Sequence, residues 1–543
     1  MATPSSTTDG RSGTLTPPGS LTPPTPTPVV APPSRPSRAS GSGSGGGPPK
    51  KPVGFTTRGA WQSRISSHEA FNHDSIDHLG YDWGRVGNPQ VAAVRPLKVY
   101  LPESVEEVQR CIRDANTLGE KIVVRSKGHS SNGLVLADRG SILLIERLNR
   151  VLAIDEAAMT ATVQSGVVSA ELDDVLADRG LGLPIIGDHN HITTGGFVSV
   201  GGISPASHRF GMFADNVVRL QYVDWAGNAG WCSATEDPGM FNKLRAGLGR
   251  HGVIVALTVK LIRIDKYGTI LKNEQTHYRT VESFIAGSSK YIDDPGDALY
   301  ERGVYVEFLK SNGQPLGIGQ FSAYKPTRQT GYARFRNAAA YNYLHAIGYM
   351  AGKLPPRLDK ALKYVGITGV LWSPTYANIK NIEFFTDKIL DSTVGDPTRM
   401  FIVLAPLARY DVLFRESFEL MREFRAKYQC MSFISVYVKS ITSPYLAQGR
   451  ADARFCELMY YCGINPTGMS EAVLEELAAR FDDVTIKHGG FRYMHSRTAR
   501  DPARWAQVDP NTFYTRAAEA ATGPSASSPR VLLPEPLEGI AQR

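Results

Sequence analysis

The apolar run Ile122-Val123-Val124 leads without a break into RSKGHSSNG, residues 125–133. Three β-branched residues read as a short buried strand, and the glycines and hydroxyls that follow read as a turn. Small residues let backbone N–H groups approach a bound anion closely, and successive N–H groups make a concave nest for phosphate. The turn matches neither Gly-x-Gly-x-x-Gly nor the Gly-Lys-Ser/Thr ending of a P-loop. Alone it is a weak phosphate signal, and an ordinary polar turn carrying a surface histidine is the plainer reading.

Its weight rises beside a second stretch, DHNHITTGGFVSVGGIS at residues 188–204, where four glycines and several hydroxyls crowd together. Two anion-friendly turns on one domain can hold both halves of a pyrophosphate, which is what a large dinucleotide requires. Upstream, Ser104 and Glu107 form a capping box ahead of Val105, Val108, Ile112, Ala115 and Leu118, and Gly119 supplies the left-handed terminus. The spacing predicts strands at 142–145 and 159–163, a helix from Ser169 to Gly180, and a loop from Pro184 to His208. A helix around Phe241 to Leu248 and a long alternating strand from Val253 to Leu261 complete this part.

From about Tyr267 the pattern changes. GVYVEFLKSNG and GIGQFSAYKP read as extended segments, and Ala377–Leu390 and Tyr410–Tyr428 as helices. The expected organisation is α+β: a Pro/Ser/Thr/Gly-rich tail at 1–53, a first domain at 54–268, a second domain of sheet plus helices at 269–465, a C-terminal return at 466–520 and a tail at 521–543. The first tail has too few apolar side chains to offset its ordering entropy.

The chain of 543 residues carries a net charge of +8 with a pI near 9.0, but its Lys and Arg are dispersed. A nucleic-acid partner calls for clustering on one face, so none is expected. Cys111, Cys232, Cys430, Cys456 and Cys462 are odd in number and scattered, which argues against a disulfide framework or a zinc site. No signal segment and no apolar run of ~20 residues is visible, so the expectation is a cytoplasmic protein without a membrane partner. His189 and His191 form a His-x-His pair, but no further ligand stands at suitable spacing, and no metal is expected.

With these two turns in register, the sequence resembles the FAD-linked oxidoreductases of the vanillyl-alcohol oxidase type, with their PCMH-type FAD-binding domain, and most closely the cytokinin dehydrogenases. The likeness is strong over residues 92–268 and thin in the second domain. It implies a two-part FAD-binding domain with a substrate domain over the flavin, and FAD joined covalently through His129. It places Ser126, Lys127, Gly128 and Ser130 of the first turn, and Thr193, Gly195, Gly196, Ser199 and Ile203 of the second, against the cofactor. Ile254 and Tyr493 are further contacts by the same likeness. Asp188 is the implied base, since a partly buried carboxylate beside the flavin suits proton abstraction near neutral pH. Glu307 in YVEF is its implied helper.

Three departures are visible. Lys127 stands where the family often has Gly or Arg, Leu134 replaces a glutamine, and no cysteine between Pro184 and Gly196 offers a second flavin attachment. The implied reaction is hydride transfer from a C–H next to nitrogen, amine to imine, on a small-molecule substrate, with oxygen or another electron acceptor to follow. An alcohol, sugar or lactone oxidase using His495, and a non-catalytic binding protein on the same fold, are the competing readings.

Overall fold

The computed structural model describes residues 79–509 apart from 81, 84–95, 97, 131–132, 138–139, 351–372, 384–397, 448–452, 465–467, 494–495, 500–503 and 505–506. Both tails, the start of order at Gly54, and His495 therefore lie outside the described residues.

The first domain opens with β1 (Lys98–Tyr100), α1 (Val105–Thr117), β2 (Ile122–Arg125) and β3 (Ser141–Leu144). Helix α1 starts where Ser104 Oγ accepts a hydrogen bond from Glu107 N, and the chain leaves it through Gly119 at φ +64°. Its buried stripe, Val108, Ile112 and Ala115, shares a core cluster with Leu143 and Val255. The three strands form a parallel sheet in the order β1-β3-β2. Ligands of such sheets gather beyond the carboxyl ends of the strands, and β2 delivers the turn at 126–130 at that place.

Next come β4 (Val151–Asp155), β5 (Thr160–Gln164), α2 (Ser169–Ala177), β6 (Leu181–Gly182), α3 (Thr194–Val200), β7 (Val217–Val223), β8 (Ala229–Ser233), α4 (Pro238–Leu244), β9 (Val253–Lys260) and β10 (Ile262–Arg263). Five of these strands make an antiparallel sheet in the order β4-β5-β9-β7-β8, and β10 pairs with β6. Three expectations need correction. The stretch from Pro184 to His208 is not an unbroken loop, because Thr193 caps α3 and Phe197 and Val198 bury themselves in a core that overrides the cost of two helical glycines. Helix α4 begins at Pro238, where Asp237 accepts from Met240 N, and ends at Leu244 rather than near Leu248. Strand β9 is buried along nearly its whole length, since Val253 and Val255 pack into one cluster and Ile254 and Leu257 into another.

The second domain consists of β11 (Ile270–Tyr278), α5 (Val281–Asp293), β12 (Tyr300–Leu309), β13 (Pro315–Pro326), β14 (Tyr376–Asn378), β15 (Thr398–Pro406), α6 (Tyr410–Tyr428), β16 (Met431–Thr442), β17 (Arg454–Ile464), α7 (Glu471–Lys487) and β18 (Phe491–Arg492), with a further helix at Gly331–Met350. All its strands join one antiparallel sheet in the order β14-β11-β13-β12-β16-β17-β15-β18. Ala377 was expected to open a helix; it lies instead in β14 opposite Leu271, and 384–390 fall outside the described residues.

Side chains alternate across a strand, and this alternation splits the sheet into two faces. Tyr305, Val436, Val438, Leu458 and Tyr460 pack with Phe284, Phe414, Phe418 and Phe481 of α5, α6 and α7. Val304, Val306, Tyr437, Met459 and Tyr461 face the other way, into a cluster with Ile203, Met212 and Ala246 of the first domain. Buried ion pairs add a second join. Lys266 Nζ lies 2.7 Å from both Asp173 Oδ1 and Glu383 Oε1, and Lys380 Nζ lies 2.8 Å from Asp173 Oδ2. Beyond α7, which packs on the sheet, Tyr493 reaches back and its hydroxyl accepts from Gly202 N at 2.9 Å.

Candidate functional site

Where the two domains meet, a cavity opens between the turn at 125–130, the 187–203 segment and the sheet.

The turn is held open by its own backbone and by the segment before it. Gly128 sits at φ +67°, and a Cβ there would press on the Arg125 guanidinium. The Gly128 carbonyl accepts from Trp83 N at 3.0 Å and from Ser130 N at 2.8 Å, and Gly133 N donates to Asp82 Oδ2 at 2.8 Å. Trp83 then stacks on the His129 ring with centroids 5.0 Å apart, and His189 closes on the same imidazole at 4.0 Å. Burial pushes His129 down to about 4, with His191 adding a smaller push in the same direction, so the ring is neutral near pH 7.

The second segment is tied to the first through hydroxyls. Ser126 Oγ and Thr193 Oγ1 lie 2.7 Å apart, Thr193 Oγ1 accepts from Gly196 N at 3.3 Å, and Ser199 Oγ donates to the Gly195 carbonyl at 2.7 Å. Gly195 packs directly on Ser165, whose Cβ would be 2.5 Å from any added Cβ. Only glycine lets the two backbones approach this closely.

Ser126, Lys127, Gly128, His129, Ser130, Asp188, Thr193, Gly195, Gly196, Ser199, Ile203, Ile254 and Tyr493 all line this one cavity. Lys127 also pairs with Glu146 at 3.7 Å. Glu307 is placed elsewhere. On β12 it shares the face of Tyr305, so it points into the helix layer, where Arg422 and Arg425 grip its carboxylate and the Arg425 Nη1 donates to its carbonyl at 3.1 Å. One residue of parity separates this face from the cavity side, and a charged residue in an extended run does not announce which face it takes.

Sequence reasoning missed three groups. Trp83 lies in a stretch with no periodicity to read. Lys439 and Glu457 are charged residues in the middle of apolar strands, SFISVYVKSIT and RFCELMYYCGI, and that oddity was the available signal. Both line the cavity. Lys439 Nζ lies 2.9 Å from Glu457 Oε2 and also contacts Asp188 Oδ2, each side chain being a tenth exposed or less. Burial works against the charge of Lys439, but the attraction of Asp188 and Glu457 outweighs it and holds the ammonium well above its ordinary value. Burial pushes Glu457 up, with Lys439 pulling back. Among the described residues no group of three or more His, Cys, Asp or Glu is arranged to hold a metal.

Residues 96–233 match the FAD binding domain family. That match takes in β1 to β8 and both loops of the cavity. Within the wider chain, an uncharacterized oxidoreductase in the fasciation locus of Rhodococcoides fascians is 35% identical over 167 residues, 31% of this chain and 38% of that protein. The (R)-6-hydroxynicotine oxidase of Paenarthrobacter nicotinovorans is 30% identical over 172 residues, 32% of this chain and 37% of its own. The chain thus spans under two fifths of the length of these curated relatives. A crystal structure of 6-hydroxy-D-nicotine oxidase from Arthrobacter nicotinovorans aligns with TM-score 0.57 at 19% identity, covering 82% of this chain and 92% of that one. The fold is therefore α+β of the vanillyl-alcohol oxidase type, an FAD-binding domain under a sheet-plus-helices domain. The cavity suits FAD on its own features: two lining loops rich in glycines and hydroxyls, backbone packed too tightly for a Cβ at Gly195, and apolar walls from Val123, Ile145, Ile203 and Ile254.

Proposed function

We propose that this chain is an FAD-dependent oxidoreductase that oxidises a C–H bond beside nitrogen in a small organic amine. When bound, FAD supplies the hydride acceptor and passes the electrons to oxygen or another acceptor. The chain's own residues do the rest. The Ser126–Ser130 turn and the Thr193–Ser199 segment cradle the diphosphate and ring. His129, neutral and clasped between Trp83 and His189, is the residue for covalent attachment, because an uncharged imidazole is the nucleophilic form.

Asp188 carries this reading. Its carboxylate stands in the wall of the cavity that both loops line, and its Oδ1, buried, accepts no hydrogen bond among the described residues. There it takes the N–H proton as the neighbouring C–H bond gives up its hydride. Trp83, Met400 and Met459 offer the carbon skeleton of a small amine an apolar and aromatic surface in the same cavity as the charged Lys439 and Glu457. The likeness to an oxidase named for 6-hydroxynicotine accords with an amine, and the likeness to L-gulonolactone and D-arabinono-1,4-lactone oxidases accords with the competing lactone reading.

The test is anaerobic bleaching of the protein-bound flavin by secondary amines, with sugars and lactones in parallel. Fast bleaching by an amine, slowed about a hundredfold or more in Asp188→Asn, is expected. Bleaching by lactones alone, or an unchanged rate in the variant, overturns the reading.

A further inference from the structure

The sheet's wall of the cavity sets one cation between two carboxylates that come from different domains. Lys439 and Glu457 are direct cross-strand partners in the β16–β17 ladder, so their 2.9 Å contact is dictated by strand register. Asp188 belongs to the FAD-binding domain and meets the same ammonium through Oδ2 only. One carboxylate thus has a permanent partner, and the other is held by what remains of its attraction.

That division matters for a base. A carboxylate paired one-to-one with a buried ammonium is strongly held in its charged form and takes up a proton poorly. A carboxylate facing a second carboxylate with no cation between them is protonated well above its ordinary range and is no longer a base at neutral pH. Here the Lys439 ammonium stands in contact with both carboxylates. Of the other titratable groups, Tyr437 on β16 feels the Asp188 charge together with Tyr461 on β17 and Arg302 on β12, Tyr493 after β18 feels Glu457, and His129 and His189 line the same cavity, with His191 acting on His129. Of these, His129 is held neutral by burial, and burial pushes Tyr437 and Tyr493 upward, so none of these three supplies a competing charge near pH 7.

Resting on the assignment of Asp188 as the base, we propose that Lys439 is the positioning residue for Asp188 and that Glu457 sets how firmly it holds, so that the second domain governs the strength of a base carried by the first. No atom of Lys439 needs to reach the reacting bond. Its contribution is to hold Asp188 through Oδ2, leaving Oδ1 without a hydrogen-bond donor among the described residues.

The test is an infrared pH titration of the protonated-carboxyl band, assigned to Asp188 by its loss in Asp188→Asn, on the FAD-loaded protein without substrate. In Lys439→Gln the midpoint moves up by about one unit or more, since an opposite charge in contact shifts a carboxylate by roughly 1–3 units. In Glu457→Gln it moves down, because Asp188 then commands the whole ammonium. Lys439→Arg leaves it near the parent value. The acidic limb of flavin reduction by diallylamine, a secondary allylic amine, follows the same order. A loss of packing alone would lower thermal stability without displacing two midpoints in opposite directions. Should Lys439→Gln not fold, the downward shift in Glu457→Gln decides. Midpoints that stay put, or move together, overturn the proposal. If they move as stated while Asp188→Asn reduces flavin at the parent rate, it is the assignment of the base that falls.

Discussion

Ser126 Oγ and Thr193 Oγ1 lie 2.7 Å apart although 67 residues separate them along the chain. This hydroxyl pair closes the cradle between the strand β2 turn and helix α3, and Thr193 at the same time caps that helix through Gly196 N. Thr193→Val removes both. The expected cost is about 1–2 kcal/mol of stability, typical of a lost cap plus a lost hydrogen bond, with weaker retention of FAD. Thermal melts of the flavin-free and flavin-loaded variant measure the two effects separately; unchanged melting in both states would show that the cradle does not depend on this bond.

Flavin should remain with the acid-precipitated polypeptide, and a tryptic peptide containing His129 should carry the extra mass. His129→Ala should release the flavin into the supernatant. Free flavin from the parent protein, or a retained adduct in the variant, would remove His129 from the attachment.

Glu307→Gln separates structure from chemistry. The substitution leaves Arg425, almost fully buried, without its ionic partner. Breaking a buried pair from one side costs about 3 kcal/mol or somewhat more, so denaturant midpoints should fall clearly. The rate of flavin reduction in the folded fraction should match the parent. A slow reduction at parental stability would return Glu307 to the reaction.

Glu301 gives the fold a pH dependence. It is fully buried and the Ser440 hydroxyl contacts its carboxylate; burial pushes the acid up to about 7, with Ser440 pulling back. The folded-state value is raised, so the protonated form is the one the fold prefers. Its contribution is complete below the unfolded value of about 4.5 and is lost as pH rises through about 7, a change of roughly 3 kcal/mol. Glu301→Gln stays neutral throughout and should gain on the parent by about that amount between about pH 4 and about pH 8 in urea titrations. A constant difference between the two proteins across this range would contradict it.

The loop side of the cavity was legible because its information is local. A β-branched run before RSKGHSSNG, and glycines with hydroxyls in DHNHITTGGFVSVGGIS, state a strand-to-turn and a close backbone approach within a few residues each. The helix hidden in the second stretch was not legible, because burial of Phe197 and Val198 against distant partners overrides the glycines that precede them.

Chain chemistry by itself determined that there are two segments rich in glycine and hydroxyls, that one bears His129, and that Asp188 stands at the head of the second. Only the tertiary structure decided which charges meet there. Lys439 and Glu457 become neighbours through the register of two strands, and they reach Asp188 because alternation turns that face toward the first domain. The same alternation, shifted by one residue on β12, sends Glu307 to the helices. A strand with period two carries both faces in one string of letters, and nothing in the string marks which face a second domain will cover.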